Sequence, residues 1–478
     1  MIRSKLASCT ARCIRVMLRM MGKGATTLPG KMALKISPSV IKDIAKDKNI
    51  ITITGTNGKT TSSHMISQML ENMGYNVINN ISGANLASGI ATTLICEKRP
   101  RSKDKLVYVL ETDEAAFAKI AGDLQPKVSV VTNLFRDQLD RYGELTHTRD
   151  CIANGIDMTS ATLILNSDDS LVSSLGKGRE DRSVFFGIDK QCMLDNNTRY
   201  PSKKGILEAS SDAVYCPECN VKYDYKSRSF GHLGNFRCPS CGFHSPDERF
   251  GIIYDGANSP SQDDFPFSIV DNSSDTTMDT VLKIPGSHNL YNTCGAVAAV
   301  TVLDEILTDS KGDAKIFEKA VKAQENVKAA FGRMEKIKVG NKNLCILLVK
   351  NPVGLDRSLS FVAESKDAAA LMLCLNSNFA DGKDVSWIWD VDFESKADDL
   401  PKDVYVAGQR WGDMKLRVTY SGAKVKDSGD MSHAMDMLHE ALDNCPDGGC
   451  VYVLPNYTSM LDLRSKLVGE FGLKDFWK

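Results

Sequence analysis

An α/β fold built on parallel sheets is what the sequence predicts, and three features predict it. The stretch Ile51-Thr-Ile-Thr-Gly-Thr-Asn-Gly-Lys-Thr-Thr61 runs from a β-branched segment through a glycine-rich turn into a helical pattern. Short apolar β-type runs then alternate with helical stretches, the pattern of βαβ units and of a doubly wound parallel sheet. Between residues 196 and 283 that rhythm breaks, and Cys216-x2-Cys219 and Cys238-x2-Cys241 appear eighteen residues apart. This is the spacing of a four-thiolate zinc ribbon.

At 478 residues, 42% hydrophobic and 25% charged, the chain has room for two or three domains with substantial cores. A net charge of -1 gives no global case for a nucleic-acid partner. No apolar run is long enough to span a bilayer. Of fourteen cysteines, ten are scattered without pattern, which points to a reducing, cytoplasmic setting rather than a disulfide framework.

Residues 1–45 form an N-terminal basic segment. Arg3, Lys5, Arg12, Arg15, Arg19 and Lys23 stand among Leu, Ile and Met with no acid nearby. A basic amphipathic helix touching a membrane or a partner fits this composition. A helix packed on its own domain fits it equally.

Residues 46–330 read as the central nucleotide-binding domain, with strands expected at 49–54, 76–81, 105–110, 127–132 and 161–165 and helices such as 59–73 and 146–158. In its opening turn, Gly55, Thr56, Asn57, Gly58, Lys59, Thr60 and Thr61 put small residues, a cation and hydroxyls where a nucleotide needs them. Backbone N–H groups and a helix N-terminus face phosphate in such a turn. Lys59 would reach the terminal phosphates and Thr60 would hold Mg2+. The run departs from G-x-x-x-x-G-K-[ST] only in having Ile53 at the first glycine. Ligands of open parallel sheets sit at the carboxyl ends of the strands. There, 105–110 runs into Glu111, Asp113 and Glu114, and 127–132 runs into Asn133, Asp137 and Asp140. Carboxylates so placed suit Mg2+ or its waters.

The insertion at about 210–247 carries the four cysteines, with Pro217, Pro239 and Gly242 suited to tight knuckles. It reads as a Zn2+-stapled module rather than a nucleic-acid reader, since its loop lacks a concentrated basic patch. Asn289 and Asn292 stand near the start of a small-residue helix at 293–307; alone they read as helix caps. A charged helix is expected at 312–330. Residues 331–478 repeat the α/β pattern, with strands at 344–349, 370–375, 385–389, 403–407 and 450–454 and helices at 357–365, 430–443 and 458–470. No glycine-rich fingerprint occurs there, so this Rossmann-like half is expected to serve a substrate or partner.

The order of motifs resembles the Mur ligase family, ATP-dependent enzymes that activate a carboxylate as an acyl phosphate for attack by an amine. The resemblance rests on Thr54–Thr61, Glu111, Asn133 with Asp137 and Asp140, His288-Asn289-x-x-Asn292, and Gly332-Arg333. It implies that Glu111 is a Mg2+ ligand, that Asn289 and Asn292 contact the nucleotide, and that Arg333 marks entry to the C-terminal domain. Within the family, the cysteine insertion, Asp137–Glu144 and Asp381–Asp392 resemble the MurT branch. Gln138 stands where amino-acid-adding members have His, and no Lys occurs between Lys127 and Lys177 to be carbamoylated.

The resemblance implies amidation of the D-Glu α-carboxylate of the lipid II stem peptide, with ATP, Mg2+ and Zn2+ as cofactors and ammonia from a GatD-like glutamine amidotransferase subunit. It also makes Asp390 the candidate for completing that partner's Cys–His pair, with Asp392 and Asp384 as second choices. From the residues alone Asp390 is a helix cap. The setting implied is the cytoplasm, at the inner face of the plasma membrane. Two other readings stand beside this one: a stand-alone amino-acid-adding ligase, and a zinc-ribbon nucleic-acid binder that uses ATP as a switch.

Overall fold

A computed structural model describes residues 2–21, 25–80, 84–97, 105–136, 145–199, 212–257, 264–328 and 333–471. Asp137, Gln138, Asp140 and Gly332 lie outside these described residues.

The central domain is built on a nine-stranded sheet with the order β11-β10-β9-β6-β5-β4-β1-β3-β2. Its strands are β1 (Asn49–Thr54), β2 (Asn76–Asn79), β3 (Leu106–Glu111), β4 (Val128–Val131), β5 (Thr162–Asn166), β6 (Ser183–Ile188), β9 (Phe250–Ile253), β10 (Phe265–Asp271) and β11 (Thr276–Leu282). β7 (Asp224–Arg228) and β8 (Gly234–Arg237) form a separate antiparallel hairpin. β1 lies between β3 and β4 and pairs in parallel with both, Ile53 opposite Glu111 on one side and Thr54 opposite Val131 on the other. Ile50, Ile51 and Ile53 are wholly buried because helices cover both faces of the sheet. The run 265–282, rich in β-branched and aromatic residues, adds β10 and β11 as an antiparallel extension.

The Ser287–Thr308 helix is long and apolar enough in composition to cross a membrane, yet it is almost entirely buried in the core. Its Ala, Val and Gly residues allow close packing on the sheet; a Cβ at Gly295 would come within 3.0 Å of the Phe186 ring.

The C-terminal half holds a six-stranded sheet with the order β12-β13-β17-β14-β15-β16. These strands are β12 (Arg333–Val339), β13 (Lys342–Leu347), β14 (Ala368–Cys374), β15 (Asp403–Ala407), β16 (Val425–Gly429) and β17 (Cys450–Pro455). All neighbours pair in parallel except β12 with β13.

Several local expectations need correction. The strand expected at 385–389 is a 3-10 turn, Ser386–Asp390, in which Trp387 and Ile388 point into the core. The Val385-Ser386-Trp387 alternation that resembles a strand here serves a single tight turn. The strand Val425–Gly429 occupies ground next to the helix expected from residue 430, which begins at Ala434. The charged helix ends at Gln324. The helix expected from 357 starts at Pro352, where proline is favoured in the first turn and Asn351 caps it by accepting from Gly354 N.

The N-terminal segment folds as a helix, Ile2–Met20, buried along Ser4, Ala7, Ala11 and Arg15. Ser4, Ala7 and Ala11 are small enough to let it lie close against the Leu28–Ile36 and Ala87–Cys96 helices, pinned by Arg12 Nε donating to Ile95 O at 3.1 Å and by the Arg15–Glu97 ion pair.

Candidate active site

The glycine-rich turn leaves β1 at the carboxyl edge of the sheet. Gly55 and Gly58 adopt φ of 121° and 83°, which L side chains rarely adopt. Both also lack room for a side chain: a Cβ on Gly55 would lie 2.5 Å from Thr132 Oγ1, and one on Gly58 would lie 2.3 Å from Asn292 Oδ1. The turn is held from the neighbouring strand end. Thr56 N donates to Asn133 O (2.8 Å), Asn57 N to Asn133 Oδ1 (2.9 Å), and Asn133 Nδ2 returns to Asn57 O (3.0 Å). Thr132 Oγ1 adds a bond to Asn57 O at 2.7 Å. Asn133 therefore clamps the loop through both its backbone and its side chain.

Lys59 opens the following helix, Lys59–Asn72. Its ammonium is buried and donates to Glu114 Oε1 at 2.8 Å, to Thr56 O at 3.3 Å and to Gly55 O. Glu114 begins the next helix, capped by Asp113, which accepts from the N–H of Ala115 and of Ala116. This ion pair holds the lysine against its own loop; engaging a phosphate requires that it turn away from Glu114. Glu114 was visible in the sequence as a strand-end acid, but its partner was not, because the pair joins two loops far apart in the chain.

Glu111 is the last residue of β3 and is buried. Asn80 brackets its backbone, accepting from its N–H and donating to its C=O, both at 2.8 Å. Its carboxylate lies 3.5 Å from Asn85 Nδ2, leaving acceptor capacity beside the loop. Thr60 is partly exposed and Thr61 buried in the first turn of the loop helix.

Asn289 and Asn292 are not the caps that the residues alone suggest. Gly286 occupies the N-cap, and both asparagines lie within the first turns of the buried helix. Asn289 Nδ2 turns back to Pro285 O (2.8 Å), and Asn292 Nδ2 donates to Asn289 Oδ1 (2.9 Å). Ser62 Oγ then reaches Asn292 Oδ1 at 3.4 Å, so this pair closes directly over the phosphate-loop helix. Arg333 opens β12, pairing through its backbone with Leu347.

The C-terminal domain contributes residues that sequence reading did not assign to this site. Asn351 Nδ2 donates to Asn57 Oδ1 at 2.9 Å, and Lys350 Nζ to Thr56 O at 3.3 Å. Their position in the short segment between β13 and a proline was the available signal. Between the domains, Gly58, Asn133, Phe135, Phe230, Asn289 and Arg357 are among the residues lining a cavity of about 110 Å3. Ligand pockets usually measure about 300–1,000 Å3. Seating a nucleoside triphosphate therefore requires this cavity to widen.

The four cysteines converge at a second centre. All four sulfurs lie within 4.8 Å of one another. The two knuckles repeat each other: Cys216 N donates to Val221 O and Asn220 N to Cys216 O, while Cys238 N donates to Phe243 O and Gly242 N to Cys238 O. Asn220 and Gly242 occupy the same left-handed position, with φ of 57° and 78°. Each turn thus aims two thiols at one point, the arrangement of a tetrahedral four-sulfur metal site. Tyr223 and Phe236 form a small core beneath it.

Residues 53–231 match the Mur ligase middle domain, and residues 348–460 match the MurT ligase C-terminal domain. The chain is 31% identical over 476 residues to the lipid II isoglutaminyl synthase (glutamine-hydrolyzing) subunit MurT of Streptococcus pneumoniae, covering 98% of both chains. This chain belongs to the MurT branch of the Mur ligases. A Staphylococcus aureus MurT subunit is 32% identical over 464 residues, covering 96% of this chain and 97% of that protein. Among solved structures, a pseudomurein peptide ligase type C from Methanothermus fervidus superposes with a TM-score of 0.62 at 20% identity, covering 92% of this chain and 84% of that one. MurF from Acinetobacter baumannii superposes with a TM-score of 0.63 at 14% identity, covering 92% and 80%. The architecture is therefore that of the Mur ligases.

Proposed function

We propose that this chain is the synthetase subunit of a glutamine-dependent lipid II isoglutaminyl synthase, amidating the D-Glu α-carboxylate of the stem peptide in peptidoglycan synthesis. The carrying observation is end-to-end similarity to MurT subunits, joined to a phosphate loop built on Gly55, Gly58 and Lys59. ATP transfers its γ-phosphoryl group to the carboxylate, and ammonia then displaces phosphate to leave the amide. Such chemistry depends on positioning and charge neutralisation. Lys59 and the loop N–H groups neutralise the phosphates, and Asn133 holds the loop in register. Thr60 and Glu111 would hold Mg2+, which supplies charge neutralisation at the transferred phosphoryl group. Cys216, Cys219, Cys238 and Cys241 would hold Zn2+ as a structural staple; their knuckle geometry and small local core fit that role.

Ammonia comes from a glutaminase partner of the GatD type. That the MurT relatives are subunits of a glutamine-hydrolysing synthase supports a partner. Asp390 is exposed at the end of the Ser386–Asp390 turn, and beside it the half-exposed Trp389 and the largely exposed Tyr420 meet edge to face at 5.5 Å. Exposed aromatics suit a protein interface. Asp384 and Asp392 are held by neighbouring Ser386 and Ser395, whose hydrogen bonds pull both carboxyls below the ordinary range against a smaller or larger opposing push from burial. Asp390→Asn in the reconstituted pair should abolish synthesis from glutamine while sparing synthesis from ammonium chloride. Full activity with glutamine would sink the role.

The enzyme works at the cytoplasmic face of the membrane, through the outer side of its first helix. Ile2, Leu6, Val16, Met17 and Met20 are all exposed there, flanked by Lys5, Arg12 and Arg19. The helix carries no acid. Large apolar residues outward and small residues inward suit an anionic lipid surface.

A further inference from the structure

The hairpin of the four-cysteine module does not end in solvent. Its tip, between β7 and β8, is pressed into the cleft between the two large domains. There Phe230 is 5% exposed and touches each wall. It stacks on Phe135 (centroids 6.0 Å apart, planes 10° apart) and meets Tyr291 edge-on at 5.7 Å. Phe135 follows β4 and is tied to the phosphate loop, its N–H donating to Thr56 Oγ1 and its C=O accepting from it. Tyr291 lies between Asn289 and Asn292.

The third contact comes from the C-terminal domain. The Arg357 guanidinium carbon lies 4.2 Å from the Phe230 ring centroid. This arginine forms no ion pair or hydrogen bond with any described residue, and its Nε is shut off from water. The neighbouring carboxylate, Asp356, is already taken by Lys396 at 2.8 Å. A buried guanidinium nitrogen with no acceptor is costly to keep, and a cation–π contact meets only part of that cost, while the side chain as a whole is only partly buried. Arg357 lines the same cavity as Gly58 and Asn289.

We propose that Arg357 is an anion ligand of the reaction cleft, held in position by Phe230 of the four-cysteine module. Its ligand is either the polyphosphate of the nucleotide or the carboxylate that the enzyme activates; both present oxygens to a guanidinium fork. Arg357 touches the substrate, whereas Phe230 is a positioning residue that acts through it. The module is thereby a working wall of the site as well as a staple. The inference rests on reading Gly55–Thr61 as a nucleotide site, but its primary readout is binding, so the two readings fail separately.

The test measures a fluorescent, non-hydrolysable ATP analogue binding to the full chain, and KM and kcat for lipid II and ATP in the complex with its glutaminase partner. Arg357→Gln should weaken one of the two ligands by about tenfold to a hundredfold, the range for losing a charge-assisted hydrogen bond. Weaker analogue binding assigns the nucleotide; unchanged analogue binding with a raised lipid II KM assigns the carboxylate. Arg357→Lys keeps the charge but not the planar fork and should restore only part of the loss, which also covers the case of a Gln variant that folds poorly. Phe230→Leu should weaken the same ligand by a smaller factor with kcat little changed, and Phe230→Tyr should recover it. Analogue affinity and lipid II KM both within about twofold of the unaltered chain for Arg357→Gln would overturn the proposal. An Arg357 effect with none from Phe230→Leu would overturn the positioning part.

Discussion

The two parallel sheets present their carboxyl edges in opposite ways. At the central sheet, the turn after β1 keeps its N–H groups beside a cleft, with glycines where a side chain would collide. At the C-terminal sheet, the corresponding edge is plugged by its own side chains. Asn376 N donates to Asn456 Oδ1 and Asn456 Nδ2 to Asn376 O. Asn378 Nδ2 reaches Thr458 Oγ1 at 2.8 Å, and Thr458 N donates to Asp381 Oδ1 at 2.8 Å. Both edges are polar, but only one leaves binding capacity unspent. Parallel-sheet architecture nominates the edge; whether its polar groups already satisfy one another decides which edge binds.

Lys59→Ala attacks the open edge and should give the largest effect, a loss of roughly a thousandfold or more in ATP-dependent amide synthesis, together with a lower melting temperature because the buried Glu114 carboxylate is left unpaired. Retained turnover would contradict the contrast. Asp168→Asn probes an intermediate case, a carboxyl at the end of β5 that is wholly buried and accepts from Tyr291 Oη (2.7 Å) and Ile188 N (3.0 Å). Burial pushes its pKa up to about 6, against the opposing hydrogen bonds. The folded state therefore holds this proton more tightly than the unfolded state does. Its stabilising contribution is present at low pH and is lost as pH rises from about 4 to about 6, by at most about 3 kcal/mol. The Asn variant should lack that slope in denaturation measured across this window.

Asp381→Ala opens the plugged edge and should cost about 1–3 kcal/mol in chemical denaturation. ATP affinity should stay unchanged, and a raised KM for ATP would show that this edge also serves the nucleotide. The smallest effect belongs to the surface: Met17→Glu with Met20→Glu should leave melting within about 0.5 kcal/mol. The same variant should weaken co-sedimentation with phosphatidylglycerol vesicles by several-fold. Unaltered sedimentation would remove the membrane role of the first helix.

Much of the open edge was legible because its chemistry is local. Gly55 to Thr61 is one continuous turn, and the Cys-x2-Cys pairs declare their knuckles within five residues each. The contacts that complete the cleft were not legible. Phe230 reads as a loop aromatic and Arg357 as a charged helix position, and nothing in either neighbourhood announces that folding stacks one on the other. Lys59 was read as a phosphate ligand, yet its resting partner, Glu114, depends on how two loops meet. The 385–389 stretch misled for a related reason: alternation of buried and exposed residues over so few positions cannot separate a strand from a 3-10 turn.

The Lys350 and Asn351 contacts on the phosphate loop carry a thermodynamic consequence. Where they close the cleft, only the separated arrangement admits nucleotide, so the observed dissociation constant equals the intrinsic one divided by the fraction of molecules that are separated. A chain that is separated about one-hundredth of the time would bind about a hundredfold more weakly than its contacts warrant. Any ligand or partner subunit that favours separation would then tighten nucleotide binding without touching the nucleotide.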